Sequence, residues 1–371
     1  MARTRKDAGV TTLAQTVGQL IWCGFPGTTL PPRFRARVAA GEVGLAILFA
    51  ANIGRPDEIV ALSAALHGAA PAALPILVAV DQEGGPVQRV RAPATVWPPM
   101  LRVGERGDEA LAEKVGRALG AELAVLGFDV DFAPVLDVHT NPANPVIGAR
   151  AFGTTADAVI RFAGAFARGL DSAGILSCGK HFPGHGDTSI DSHLDLPRVD
   201  HDFARLSAVE LAPFRTLALP MVMTAHVVFA ALDAELPATL SPRVVGELLR
   251  GRLGYRGVIV SDDLEMKAVF DRWGVAEAAE RAVVAGCDAV LVCHGEDDQL
   301  AAHEALVTAA ERSPAVRARV EESATRIAAM KAAHRFRVPA VLDDVAAVLG
   351  HADHQALARS LVALDGAAGV A

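Results

Sequence analysis

The sequence predicts an α/β protein that closes into a (β/α)8, TIM-like barrel and continues into a C-terminal helical extension. Three observations carry that expectation. Short apolar runs alternate with longer amphipathic stretches, the pattern of βαβ units in a parallel sheet covered on both faces. Eight such runs can be counted, the number at which a sheet of this kind closes. Six of the eight end in ionisable side chains, and barrel enzymes carry their chemistry on the loops after the strands. An open doubly wound sheet is the alternative. It loses support because no GxGxxG follows a strand and no GxxxxGK(S/T) occurs.

In chain order, strands are expected at Gly18–Cys23, Val43–Phe49, Leu74–Val80, Phe128–Phe132, Gly174–Cys178, Met221–Thr224, Gly257–Val260 and Asp288–Cys293. Helices are expected at Asp57–Leu66, Glu109–Leu126, Ala156–Ser172, Pro242–Leu253, Val275–Val284 and Asp298–Ala310. The chain after about Pro314 reads as helical, with Val341–Gly350 and Gln355–Leu364 as its last turns. No Ser/Gly/Pro-rich linker divides the chain, so a barrel domain over 1–335 and an extension packed on it over 336–371 are expected.

Composition narrows the function. Hydrophobic residues make up 51% of the 371 residues and charged ones 21%, enough for a large core and too apolar for wholesale disorder. The net charge of −8, without a Lys/Arg run, argues against nucleic acid or an anionic membrane as a partner. A mean hydropathy of +0.31 raises the question of a membrane span. The longest uncharged run, Ile59–Val80, contains Pro71 and Pro75 and so reads as helix, loop and buried strand. The start, MARTRKDAGVTT, has no apolar segment behind it, and no signal peptide is expected. Cys23, Cys178, Cys287 and Cys293 form no CxxC and read as reduced thiols. A cytoplasmic location is expected.

The polar residues at the strand ends are Asp81 and Glu83, Asp131 leading to Asp137, Lys180 and His181, His226, Asp262 and Asp263, and His294. The densest stretch runs from Lys180 to His193 and holds three His, two Asp and one of the chain's five Lys. A metal site from His181, His185 and His193 is one reading. The Pro-Gly-His-Gly turn breaks the helix that would present the ligands on one face, and HExxH is absent. No metal or other cofactor is expected. Asp191 and His193 are two apart, so in an extended loop they point the same way, and the carboxylate can hold one imidazole nitrogen while the other moves a proton.

KHFPGHGDTSIDSHLDLP resembles the signature of glycoside hydrolase family 3, in its bacterial β-N-acetylglucosaminidase branch. VDQEGGPVQR, DFAPVLDV, IGARAFG, MTAH and GVIVSDDLEM are similar to the same family in the same order, over roughly Gly18 to Met330. Pro86 and Ala151 depart from the residues usual there. The resemblance implies a retaining enzyme that removes non-reducing terminal β-linked N-acetylglucosamine, typically from peptidoglycan-derived muropeptides during cell-wall recycling. It implies Asp262 as nucleophile through a covalent glycosyl-Asp intermediate. His193 becomes the acid/base, oriented by Asp191, and Asp81, Arg89, Arg150, Lys180 and His181 hold the sugar. His226 is a secondary site candidate, as is His185, which with Asp187 is also read as shaping the loop. Glu83 and Asp137 read as supporting residues, Asp263 as structural and pointing away if the strand persists, and Trp97 as either a sugar platform or core.

The expected partner is a small carbohydrate, either an N-acetylglucosamine-containing muropeptide or a chitooligosaccharide. Other specificities on the same machinery are β-glucosidase and β-xylosidase. Partial phosphorylase action is a further option, because a neutral imidazole does not repel phosphate as a carboxylate would. From other classes, a metal-dependent barrel amidohydrolase would need an HxH near the first strand, and none is present. A non-catalytic sugar-binding barrel would not need both Asp262 and His193.

Overall fold

The computed structural model describes residues 11–189, 196–336 and 342–362. Eight parallel strands close a barrel: β1 Ile21–Cys23, β2 Leu45–Leu48, β3 Leu77–Val80, β4 Val130–Asp131, β5 Leu176–Phe182, β6 Met221–Thr224, β7 Val258–Asp263 and β8 Ala289–Val292. Each pairs with the next, and β8 pairs back with β1 through Ile21 and Val290. Every apolar run expected as a strand supplies one of them. Their burial is nearly complete, as in Leu45, Leu77, Val130, Met221, Val260 and Val290, all with 0% exposure. Strands buried on both faces have no polar alternation, which is why they read as plain apolar runs.

The helices follow the expected segments with shifted ends. Ala156–Ser172 forms as expected, its first turn capped by Thr155, whose hydroxyl accepts from Ala158 N. Glu109–Val125 is capped by Asp108, which accepts from Ala110 N and Leu111 N. The segment expected from Val275 begins earlier, at Lys267, and is kinked at Gly274, whose φ of +63° breaks the periodicity. Pro56–Ala69 then loop then β3 is how the Ile59–Val80 run folds, and no described helix is long and apolar enough to cross a membrane. Short helices at Leu13–Gly18, Pro32–Ala40, Met100–Glu105, Phe203–Ala208 and Ala212–Thr216 were not expected; most are too short to show a period.

After β8 come Glu296–Arg312 and Pro314–Ala333, then the C-terminal helices Leu342–Val348 and Ala352–Val362. Those last two pack on the Glu109–Val125 helix. Buried Glu122 fixes them, accepting from Gly350 N and pairing with His354 Nδ1 at 2.8 Å while its other oxygen holds Thr95 N. All four cysteines are free and buried, and burial pushes the Cys23 thiol up to about 12.

Candidate active site

A cleft of about 850 Å³ opens at the C-terminal end of the barrel, where a barrel's βα loops meet. It brings together Asp81, Arg89, Arg150, Lys180, His181, His185 and Asp262. Seven of the ten residues proposed from sequence thus line one space. Asp191 and His193 lie outside the described residues. His226 does not line the cleft: its ring is buried, with Nδ1 on Thr239 Oγ1 at 2.8 Å and Nε2 on the carbonyl of Asp263 at 2.9 Å. It braces the end of β7.

The charges form one connected group. Lys180, emerging from β5, donates to Asp81 Oδ1 at 2.7 Å and pairs with Glu83 at 2.6 Å. Arg150 grips Glu83 with two N–H groups, at 2.7 and 2.8 Å. Burial pushes Glu83 up, but Arg150 and Lys180 outweigh it and hold the carboxyl well below the usual range. Burial likewise works against the charge on Lys180, and Asp81 and Glu83 outweigh it, so the ammonium is kept above its ordinary value. Arg89 is held less tightly, 3.8 Å from Asp81, and lies over the Phe49 ring. Glu83 therefore does more than support from behind, since it lines the cleft and clamps two of its cations.

Asp137, with 0% exposure, organises the histidines. Its Oδ2 holds His181 Nδ1 at 2.7 Å, and its Oδ1 accepts from the backbone N–H of His181 and of His185. With Asp137 on Nδ1, the other ring nitrogen of His181 remains for the cleft it lines. Burial pulls His185 down to about 4, so the ring is neutral near pH 7. Its Nδ1 meets Thr188 Oγ1 at 2.7 Å. Asp187 ties the same loop together through Thr140 Oγ1 at 2.8 Å and His201 Nε2 at 2.5 Å, as its loop-shaping reading expected.

The pair after β7 departs from expectation. Strict alternation would turn Asp262 and Asp263 to opposite faces, yet both line the cleft. The pairing of β7 with β8 shifts register between Val260 and Asp263, and such an irregularity re-aims a side chain. A similar shift between Gly179 and Phe182 against β6 accompanies the convergence of Lys180 and His181. The two aspartates differ electrostatically. Burial pushes Asp262 up, but the charges of His181 and His226 and the N–H of Asp263 outweigh it and hold it ionised. At Asp263 burial, together with the charges of Glu265 and Asp262, outweighs the Glu265 N–H and the His294 ring and raises the carboxyl to about 6.

Trp97 is 2% exposed and packs in the core, so it is no sugar platform. Phe49 and Phe132 are the described phenyl rings in the cleft wall, and the Phe49 ring lies tilted 5.2 Å from the His294 ring. The only sequence signal of Phe49 is its place directly after β2. Val87 and Met266, which lie inside the VDQEGGPVQR and GVIVSDDLEM motifs, also line the wall, as does Val146, which lies outside the motifs. No group of three His, Cys, Asp or Glu among the described residues is arranged to hold a metal ion.

The arrangement offers an ionised carboxylate on a rigid strand end, facing a cluster of cations and acids suited to binding hydroxyl and amide groups. That is the equipment of a barrel glycosidase. Residues 12–330 match the glycosyl hydrolase family 3 N terminal domain, and the chain belongs to that family. It is 42% identical over 280 residues to a beta-hexosaminidase of Alkalilimnicola ehrlichii, covering 73% of this chain and 79% of that one. It is 40% identical over 293 residues to beta-hexosaminidase A of Pseudoalteromonas piscicida, where 73% of this chain matches about half, 49%, of the relative. A solved family 3 beta-N-acetylglucosaminidase from Paenibacillus sp. str. FPU-7 superposes with a TM-score of 0.87 at 40% identity, over 95% of this chain and 68% of that one.

Proposed function

We propose that this glycoside hydrolase is a β-N-acetylhexosaminidase that releases non-reducing terminal N-acetylglucosamine with retention of configuration. The observation that carries the reading is Asp262: a carboxylate kept ionised in the same cleft as Asp81, Arg150, Lys180 and His181, in a chain whose family relatives bear the hexosaminidase name.

In the proposed first step an oxygen of Asp262 bonds to the anomeric carbon as the glycosidic C–O bond breaks. His193 gives its proton to the departing oxygen, with Asp191 steadying the ring. The leaving group departs and water enters. His193, now neutral, takes a proton from that water, which displaces Asp262 and frees the sugar. Asp81, Arg89, Arg150, Lys180 and His181 bind hydroxyl and acetamido groups. Glu83 keeps Arg150 and Lys180 in place before the sugar arrives, so no reorganisation is needed in the reaction. Asp137 fixes the orientation of His181.

We further propose muropeptide fragments of peptidoglycan as the substrate and the cytoplasm as the compartment. Four buried, free thiols support a reducing environment. The cations around the cleft leave room for phosphate as a second acceptor, which would yield a sugar 1-phosphate.

The test is to assay aryl β-glycosides of N-acetylglucosamine, glucose and xylose side by side, in phosphate and in a non-nucleophilic buffer, with the first-formed anomer followed by NMR. The expected result is a preference of at least about 100-fold for N-acetylglucosamine, since a site built around polar groups rejects ligands that leave them unpaired, with the β-anomer formed first. Equal rates on glucose would overturn the specificity. A first-formed α-anomer would overturn the retaining mechanism, and absence of sugar 1-phosphate at high phosphate would leave water as the acceptor.

A further inference from the structure

The chain holds five lysines among thirty-five Lys and Arg. Lys114 and Lys267 are exposed, and Lys180 belongs to the cleft. Lys331 is used by neither the surface nor the reaction. It is 4% exposed in the last turn of Pro314–Ala333, at the opposite pole of the barrel, beside Gln19 just before β1 and Pro75 just before β3.

Lys331 lines a recess of about 970 Å³ with Thr16, Leu74, Ala324, Thr325 and Ala328. The wall is largely apolar and carries threonine hydroxyls and one carboxylate, Glu321, which is paired with Arg317 at 3.1 Å. Nζ donates to Gln19 Oε1 at 2.9 Å and to the carbonyl of Pro75 at 2.7 Å. Both acceptors are neutral, and among the described residues no carboxylate pairs with the amine. Asp129 reaches it only through its field, being bonded itself to His67, His334 and Val78 N. A buried ammonium without a counter-charge is costly, and burial pulls Lys331 down to about 7. Arginine could not shed its proton there, so lysine is the basic residue that can stand in this place uncharged. An uncharged amine that donates two hydrogens still has its lone pair.

We propose that this recess is a binding site for a small aldehyde or ketone with an apolar body, held reversibly as an imine on Lys331. The nitrogen lone pair bonds to the carbonyl carbon while an N–H proton passes to the carbonyl oxygen, giving a carbinolamine. Loss of water then leaves the C=N bond, and hydrolysis restores amine and carbonyl compound. Nothing is oxidised or reduced. The apolar wall receives the body of the ligand, and the threonine hydroxyl oxygens offer acceptors for the carbinolamine.

The experiment treats the full chain with benzaldehyde and sodium cyanoborohydride, which traps an imine as a stable benzylamine. Peptide mass spectrometry then compares the rates at individual lysines. An amine titrating near 7 is about half neutral at pH 7, against roughly one part in a few thousand for an ordinary lysine. Lys331 should therefore be labelled at least about tenfold faster than Lys114 and Lys267 at pH 7, with the preference shrinking toward pH 10 as those lysines deprotonate. Lys331→Met should lose that label and keep hexosaminidase turnover within about twofold. Labelling of Lys331 no faster than of the exposed lysines, or a preference that does not change with pH, would overturn the proposal. Should Lys331→Met fail to fold, the wild-type rate ratio decides by itself.

Discussion

Asp262 and Asp263 are neighbours in sequence and line the same cleft, yet one is held ionised while the other is raised to about 6. Sequence singled out Asp262 only through its motif; composition and alternation could not separate the two, because the register shift after Val260 lies in the pairing of strands. The raised value has a consequence for stability. A carboxyl with a folded pKa above its unfolded one keeps a proton that the unfolded chain releases, so stability falls as pH rises from about 4 to 6 and stays lower above that. Asp263→Asn retains an oxygen for the N–H groups of Glu265 and Cys293 and carries no charge. It should stabilise the fold at pH 7.5 by on the order of 1–3 kcal/mol, seen as a higher melting temperature, and leave the melting temperature nearly unchanged at pH 4. A lower melting temperature at pH 7.5 would show that Asp263 is compensated.

At the scale of elements, all eight strands were legible because burial on both faces writes them as apolar runs bounded by turns. The helices with strong amphipathy were legible too. Leu13–Gly18 and Ala212–Thr216 span six and five residues, too short for a period to register, and the kink at Gly274 hid the first turns of its helix. The loop after β5 was legible as a polar cluster, though not in its packing. Gly186 sits where an added Cβ would lie 1.9 Å from the carbonyl oxygen of Val138. Backbone cannot yield as a side-chain tip can, so Gly186→Ala must displace the loop between His185 and Asp187. That loop leads on to Asp191 and His193. Turnover should drop at least about tenfold while the far-UV circular dichroism stays that of the parent; unchanged turnover would mean that the loop absorbs the methyl group without moving its neighbours.

At the scale of the whole molecule, the candidate active site lies at one end of the barrel and the Asp288 charge cluster at the other end serves stability. Asp288, at 0% exposure, accepts from Arg319, Arg326, Ser323 and Ile259 N, and pairs also with Arg250. It ties the Pro314–Ala333 helix and the Arg243–Arg252 helix to β7. Loss of the Asp288 carboxylate leaves Arg250 unpaired and Arg319 and Arg326 with Glu322 alone, and removing one partner of a buried pair costs roughly 3–5 kcal/mol. Asp288→Ala should lower the melting temperature by several degrees while KM at low temperature stays near that of the parent. A change in KM with no loss of stability would contradict the division of labour. Sequence could not show this hub, since its members come from positions 250, 288, 319 and 326, which only the closed barrel brings together.

The proposed mechanism requires Asp262 to form a glycosyl ester during turnover. An activated 5-fluoro glycoside of N-acetylglucosamine slows release of such an ester, so the intact protein can be weighed and its peptides mapped. A single sugar adduct is expected that appears with loss of activity, disappears as activity returns, and maps to Asp262. An adduct on Asp263, Asp81 or Glu83, or full turnover of the reagent with no adduct at any carboxylate, would contradict it.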